Sequence, residues 1–461
     1  MGGVMMKHVK GGYKILIAIM VIFVVCLSGI GLAFQAKMNG DDAAESSSLA
    51  SQESASMSVS TTKIETPAFL SDLPQKEYAA LWQGQEGTVV LRSVGDILIH
   101  SEVAEMANTS SNFFLDSASN LSAIAALNEQ NQINAGSDVD NIDLGVDEYN
   151  FDPMIARIAP YTSYADITVA NLEIPAAYPT LPISTYPNFN MPSSILGSLR
   201  RAGIDAVSFA TNHTLDQFAE GAYTTMDYLD QAGIMYYGAY ASQDDKNSPR
   251  ILDTNGIKLG FLAYTYGTNG MMPPEDEPWV VNYAYLQDML DDVEALKDQV
   301  DAVVVSLHLG TEYGTLPDGE QIAITQALAD AGVKLIIGGH PHDVQPVNWL
   351  NDGDTYVMYS QASFMTGQVE DANKVAGIHE VTFERDANGE VNVVDPKFMP
   401  TYFAGTYNKF MYESQPLAMY KDNGDGLASW FSDLKTRMHT YTDEFTYADY
   451  LETAWTEQVV E

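Results

Sequence analysis

From about residue 86 the chain alternates short apolar runs with stretches of helical spacing. The apolar runs are TVVLRSVG (88–95), ADITVANL (165–172), AVSFAT (206–211), IMYYGAY (234–240), IKLGFLAYTY (257–266), DAVVVSLHL (301–309), KLIIGG (334–339) and TYVMYSQ (355–361). Each has strand length and predicts a strand buried on both faces. Between them MPSSILGSLRRAG (191–203), GAYTTMDYLDQAG (221–233), YLQDMLDDVEALKDQ (285–299) and GEQIAITQALADAG (319–332) predict helices, the last two ending in Asp-rich or Gly punctuation. Strand and helix in alternation predict an α/β fold. GIHEVTFERDANGEVNVVDPKF (377–398) has Asn-Gly at its turn, so a hairpin adds antiparallel strands at the end of the sheet. The Asn-, Ser- and Asp-rich stretch 108–150 reads as an insertion over the first crossover. After 402 the chain becomes acidic and rich in Tyr and Trp, which predicts an appendage packed on the core.

A different pattern opens the chain. Residues 15–34 carry no charge and follow Lys7, Lys10 and Lys14. Such a run is long enough to cross roughly 30 Å of hydrocarbon, and the lysines place its N-terminal end in the cytoplasm. A cleaved signal peptide is the competing reading, since Gly31 and Ala33 form a small-x-small pattern. The length of the run favours an uncleaved anchor. Both readings export everything downstream. The predicted division is a cytoplasmic tip and transmembrane anchor (1–37), a flexible Ser/Ala/Glu-rich linker (38–85), the α/β domain (86–402) and an acidic aromatic extension (403–461).

Composition narrows the chemistry. With 22 Lys+Arg against 62 Asp+Glu, the formal net charge is -40, which repels nucleic acid and excludes it as an expected partner. Cys26, in the apolar segment, is the one cysteine of the chain. Disulfide frameworks and Cys-ligated zinc are therefore excluded. Any metal or catalytic centre must use other residue types.

In an α/β sheet, ligands sit at the carboxyl ends of strands. There the sequence places Asp96, then Asn171 and Glu173, then Asn212, His213 and Asp216, then His308 and Glu312, and finally His340 and His342. Of eight histidines, only His8, His379 and His439 lie away from these positions, with His100 just beyond Asp96. Each residue alone has a plainer reading. Asp96 or Asp216 can cap a helix, Asn212 can serve a turn, Glu312 can pair with a local cation, and His308 can be a satisfied core histidine. Jointly, carboxylate, amide oxygen and imidazole form a ligand set for Mn²⁺, Fe²⁺ or Zn²⁺. Glycines 338 and 339 let the backbone approach closely beside the His-Pro-His tip. One or two ions in such a cluster polarise a substrate oxygen and activate water.

In these motifs the chain resembles the capsule-synthesis CapA family, associated with poly-γ-glutamate production, within the calcineurin-like metallophosphoesterase superfamily. GDILIH, ADITVANLEIP, AGIDAVSFATNHTLD, HLGTEY and GGHPHDVQP follow one another in order between Thr88 and Tyr402. The resemblance implies a metallo-dependent phosphatase-like β-sandwich flanked by helices. It also implies metal ligation by Asp96, Glu173, Asn212, His308, His340 and His342. His213 would assist phosphoryl transfer with Asp216 orienting it, and His100, Asn171 and Glu312 are further candidates. The chain departs from the superfamily at Leu98, where Asp-x-His would put an imidazole, and at Glu173, where Asp is usual. It departs from the family at SQASF (360–364), against SLGNF, and at Phe218, against Gly. Two functions follow as expectations. One is a membrane-anchored extracytoplasmic hydrolase acting on a phosphoester or an anionic exopolymer. The other is a non-catalytic polymer-handling component working with other capsule or poly-γ-glutamate synthesis subunits.

Overall fold

The computed structural model describes residues 84–111, 148–406, 409–420 and 427–453, all within the compact unit Glu65–Glu461. The expected span at 15–34, most of the linker and residues 112–147 of the insertion lie outside the described residues. Among the described residues, no helix is long and apolar enough to cross a membrane.

The strands are β1 (Thr88–Leu98), β2 (Ile167–Leu172), β3 (Ala206–Ser208), β4 (Met235–Tyr237), β5 (Ile251–Thr254), β6 (Ile257–Thr265), β7 (Ala302–His308) and β8 (Leu335–Gly339). Then come β9 (Val347–Leu350), β10 (Thr355–Met358), β11 (Ser363–Thr366), β12 (Val375–Arg385), β13 (Val391–Thr406), β14 (Lys409–Pro416) and β15 (Thr446–Tyr447). They form two sheets. One has the order β14-β13-β12-β1-β2-β3-β4, with β11 paired to β1 and β15 to β13; the other has the order β5-β6-β7-β8-β10-β9. β1 to β4 run parallel, as do β6, β7, β8 and β10. The Asn-Gly hairpin is β12–β13, and it continues the first sheet beyond β1 in antiparallel sense.

Alternation along β7 shows how a strand buried on both faces is built. Val303, Val305 and Leu307 point to a cluster that includes Met289 and Val293 of helix α1 (Leu286–Lys297) and Ile324 and Leu328 of helix α2 (Gly319–Asp330). Val304 points the other way, into the core shared with the first sheet. Across that core the Tyr237 hydroxyl meets Ser306 at 3.0 Å and the Tyr237 ring lies 5.4 Å from Phe261. α2 starts on a capping box between Asp318 and Gln321, which satisfies its first amides.

The segment after 402 is built into the sheet. β13 runs through residue 402, and helix α3 (Leu427–Met438) buries Phe431, Leu434 and Met438. Unflagged by apolar runs, β9 and β11 are short and held by their sheet neighbours rather than by local propensity.

One core group resists acid. His379 on β12 is fully buried against Phe398, and neither ring nitrogen has a hydrogen-bond partner. Burial pushes its pKa down to about 3. Its ordinary value is near 6.5, so the unfolded chain binds the proton first and stability falls as pH drops below 6.5. His379→Leu removes that term: relative to the unaltered protein its unfolding free energy should rise by about 2 kcal/mol between pH 8 and pH 5. Denaturant titrations at both pH values check this, and a pH-independent difference contradicts it.

Candidate metal centre

Sheet register makes the floor of the site. Asp96, Asn171 and Ser208 lie opposite one another on β1, β2 and β3, and Thr265, His308 and Gly339 form the matching row on β6, β7 and β8. Both rows stand at the carboxyl ends of parallel strands. A bulge at Gly95 re-aims Asp96, and a Cβ there would lie 1.9 Å from the Ala362 carbonyl. The glycines before the His-Pro-His tip have the same reason. A Cβ on Gly338 would lie 1.9 Å from the Tyr359 carbonyl, and one on Gly339 would lie 2.8 Å from Asp96 Oδ1 and 3.3 Å from His308 Nδ1. The chain then turns through His340 at φ 91 and His342 at φ 57, backbone that L residues rarely adopt.

These constraints bring six of the sequence candidates together. Asp96, Glu173 and His342 are buried, with ligand atoms all within 4.8 Å of one another. His342 Nδ1 lies 3.1 Å from Asp96 Oδ2 and 3.0 Å from Ser363 Oγ, and its Nε2 lies 3.7 Å from Glu173 Oε1. Glu173 Oε1 is also 3.7 Å from His308 Nε2, which sits 2.8 Å from Asn212 Oδ1. The His340 ring lies 5.1 Å from that of His308 and 6.1 Å from that of His342. Its Nδ1 is buried with no hydrogen-bond partner, and neither Glu173 oxygen has one either.

The electrostatics follow from burial without water. Desolvation drives the Glu173 carboxyl well above its usual range, against the lowering effect of His342. Desolvation likewise lowers His308 far below its ordinary value and His340 to about 4, with neighbouring imidazoles adding to it. Burial alone would lower His342 too, but Glu173 and Asp96 hold it at about 9. Neutral imidazoles, an amide oxygen and two carboxylates facing one small space are the donor set of a divalent cation, and the orphaned oxygens of Glu173 fit one.

The remaining candidates surround this cluster. The Asn171 amide bridges the two sheets, donating to Asp96 Oδ1 at 2.8 Å and meeting His308 Nδ1 at 3.1 Å, while its oxygen accepts from Ser208 at 2.6 Å. It positions rather than ligates. His213 Nδ1 lies 2.7 Å from Asp216 Oδ2, which also accepts from the Phe189 amide at 2.7 Å. Asp216 is thus an orienting group, not a helix cap. Glu312 is exposed at the rim, where its charge raises the pKa of His340 and His342. His100 stands beside the site: its Nδ1 lies 3.0 Å from the Gly367 amide and 3.1 Å from the Leu98 carbonyl, and its ring packs 5.3 Å from Phe189.

Two expected glycine positions keep a left-handed backbone without glycine, Phe218 at φ 57 and Ala362 at φ 61. The Ala362 carbonyl still accepts from the Asp96 amide at 2.8 Å. Ser363, opposite Asp96 in register, supplies the hydroxyl on His342. Asn269 was unmarked in the sequence, yet its side chain reaches Asn212 at 3.4 Å and His213 at 3.5 Å. So was Arg437 of α3, which donates to the Val344 carbonyl at 3.1 Å and stands 3.8 Å from Asp343, bracing the His-Pro-His loop.

Comparison with known proteins bears on the whole region. The sequence profile described as "Bacterial capsule synthesis protein PGA_cap" matches residues 90–368, more than half of the chain. The chain belongs to this family. The capsule biosynthesis protein CapA of Bacillus anthracis is 26% identical over 231 residues, covering 48% of this chain and 56% of that protein. The PGA biosynthesis protein CapA of Bacillus subtilis (strain 168) is 25% identical over 197 residues, covering 42% of this chain and 51% of that protein. The chain thus spans about half the length of these curated relatives. Among solved structures, a phosphatase from Mycoplasma pneumoniae aligns with TM-score 0.40 and 13% identity, over 73% of this chain and 98% of that one. A putative 5'-nucleotidase from Staphylococcus aureus aligns with TM-score 0.39 and 14% identity, over 70% of this chain and 56% of that one.

Two substitutions away from the ligands test this geometry. Gly339→Ala pushes a methyl group into Asp96 and His308 and should abolish stoichiometric metal binding in a folded protein. Arg437→Ala frees the His-Pro-His loop and should weaken binding about tenfold. Equilibrium dialysis against Zn²⁺ or Mn²⁺, with circular dichroism to verify folding, measures both. Unchanged affinity in the first variant contradicts the site.

Proposed function

We propose that this family member is a metal-dependent hydrolase of the phosphoesterase type, working in capsule-polymer biosynthesis outside the cytoplasm and tethered by its N-terminal apolar segment. The observation that carries the reading is the Glu173 carboxylate, buried without a hydrogen bond between the imidazoles of His308 and His342. Asp96, Glu173 and His342 would hold one ion, and Glu173, Asn212, His308 and His340 a second. Mn²⁺, Fe²⁺ or Zn²⁺ there supplies Lewis acidity and a water of lowered pKa. Asn171 keeps Asp96 and His308 in register across the two sheets. Asp216 engages His213 through Nδ1 and leaves Nε2 for the leaving-group oxygen, where it donates a proton or steadies developing charge. The run 15–34 after Lys7, Lys10 and Lys14 supports the tether. The net charge of -40 favours a cation-bridged approach to any anionic polymer.

One observation supports a second reading, a metal-stabilised polymer-handling component that performs no hydrolysis. Leu98 leaves the Asp96–Glu173–His342 group without the imidazole expected from Asp-x-His, and that group holds the described residues' one cluster of three acidic or histidine ligands. His213→Ala separates the two. Under the hydrolase reading it should lower kcat on an aryl phosphate by about 100-fold at unchanged metal content. It should also fail to restore polymer in a strain lacking the gene. Full restoration of polymer by this variant selects the second reading, and metal content unaffected by a His340→Ala/His342→Ala double variant overturns both.

A further inference from the structure

One phenol at the metal centre has no part in holding an ion. Tyr266 follows the last residue of β6, at the carboxyl end where the ligand candidates gather. Its amide donates to the His308 carbonyl at 3.1 Å, and its ring lies 4.6 Å from that of His340. The residue is nevertheless 47% exposed, so a large aromatic side chain stands half in solvent beside a buried imidazole. Its hydroxyl is on the side of His213. It lies 3.5 Å from Asn269 Oδ1, which also meets Asn212 Nδ2 at 3.4 Å, while Asn269 Nδ2 stands 3.5 Å from His213 Nδ1. One amide thus touches a ligand candidate, the histidine assigned to the leaving group and the phenol.

The loop that carries this amide is fixed. Asn269 and Gly270 take φ of 51 and 82, the left-handed backbone that Asn and Gly adopt most readily. Thr268 donates to the Met271 carbonyl and meets the Tyr283 hydroxyl at 2.9 Å, and Thr265 donates to the Gly267 carbonyl at 3.0 Å. The contacts of the Asn269 amide, by contrast, are at the outer limit of a hydrogen bond. A hydroxyl held so loosely keeps its proton available for a stronger acceptor, and catalytic contacts of this kind tighten when substrate arrives.

Charge decides which acceptor that is. Negative charge on a transferred phosphoryl group is spread over its non-bridging oxygens, and arginine is the residue best shaped to meet them. Each of the seven arginines of this chain is instead paired with a carboxylate that is no ligand candidate, from Arg92 with Glu380 to Arg437 with Asp343. We propose that Tyr266 takes that place, donating its phenolic hydrogen bond to a non-bridging oxygen of the phosphoryl group, with Asn269 as the positioning residue that sets the hydroxyl. The phosphoryl group itself rests on the hydrolase reading. The phenol keeps its proton throughout, and its hydrogen bond strengthens as charge builds on the oxygen.

Calorimetric titration of orthophosphate into the full-length protein, in detergent and loaded with Mn²⁺, tests the donor without turnover. Tyr266→Phe keeps the ring on His340 and removes the hydroxyl; orthophosphate affinity should fall about tenfold at unchanged Mn²⁺ content. Asn269→Ala should weaken binding by a smaller factor. The double variant should bind no more weakly than Tyr266→Phe alone, because an amide that acts through the phenol adds nothing once the phenol is gone. The proposal is overturned if the unaltered protein binds no orthophosphate, if Tyr266→Phe binds it equally well, or if the two losses add. Its fate separates from that of the hydrolase reading. Tyr266-dependent binding with no turnover of an aryl phosphate rejects hydrolysis and keeps the donor, whereas undiminished turnover and binding in Tyr266→Phe reject the donor and keep hydrolysis.

Discussion

A carboxylate sealed from water with no hydrogen bond is one of the most expensive groups a protein can contain. Glu173 is in that position, fully buried with both oxygens unsatisfied. Leaving it so costs several kcal/mol, and protonating it would still strand a donor among imidazoles. A cation held jointly with Asp96, Asn212, His308, His340 and His342 would remove the penalty. The same cation would account for histidine rings lying 5.1 and 6.1 Å apart, two of which burial drives to low pKa with neighbouring imidazoles adding to the effect.

The scaffold bears the cost of assembling these groups. Parallel strands from two sheets end at one level, the Gly95 bulge turns Asp96 inward, and Gly338 and Gly339 allow a strand to pass where no side chain fits. His340 and His342 then hold positive φ, a strain that the braces from Arg437 and Asn373 to the following Asp343 and Val344 help to maintain. The C-terminal segment is thereby part of the site's support. Asn171 and Asp216 serve the same end from within, one tying Asp96 to His308 and the other tying His213 to the Phe189 loop.

Much of this was legible in the sequence, for a physical reason. Buried parallel strands must be apolar almost throughout, so β1, β2, β6, β7 and β8 announce themselves, and polar residues at their ends stand out as exceptions needing a cause. Asp96, Glu173, His308, His340 and His342 were found that way. Residues whose roles depend on partners distant in sequence were not. Nothing local in the sequence marks Asn269, Arg437 or Phe189. Only the assembled fold makes them a contact, a brace and a packing partner. His100 shows the same limit: its spacing from Asp96 suggests a ligand, whereas its Nδ1 contacts with the Gly367 amide and the Leu98 carbonyl depend on the fold.

Membership of the capsule synthesis family agrees with a centre of this chemistry without naming its reaction, since the reaction depends on whether the buried carboxylate carries a cation. Thermal unfolding of the full-length protein and of Glu173→Gln, each in chelator and in excess Mn²⁺ or Zn²⁺, measures that dependence most directly. The account predicts a crossover: the Gln variant melts at or above the unaltered protein in chelator and well below it when metal is supplied. Identical melting of the unaltered protein with and without metal, together with a Gln variant destabilised equally in both, would contradict the claim that Glu173 is buried for a cation.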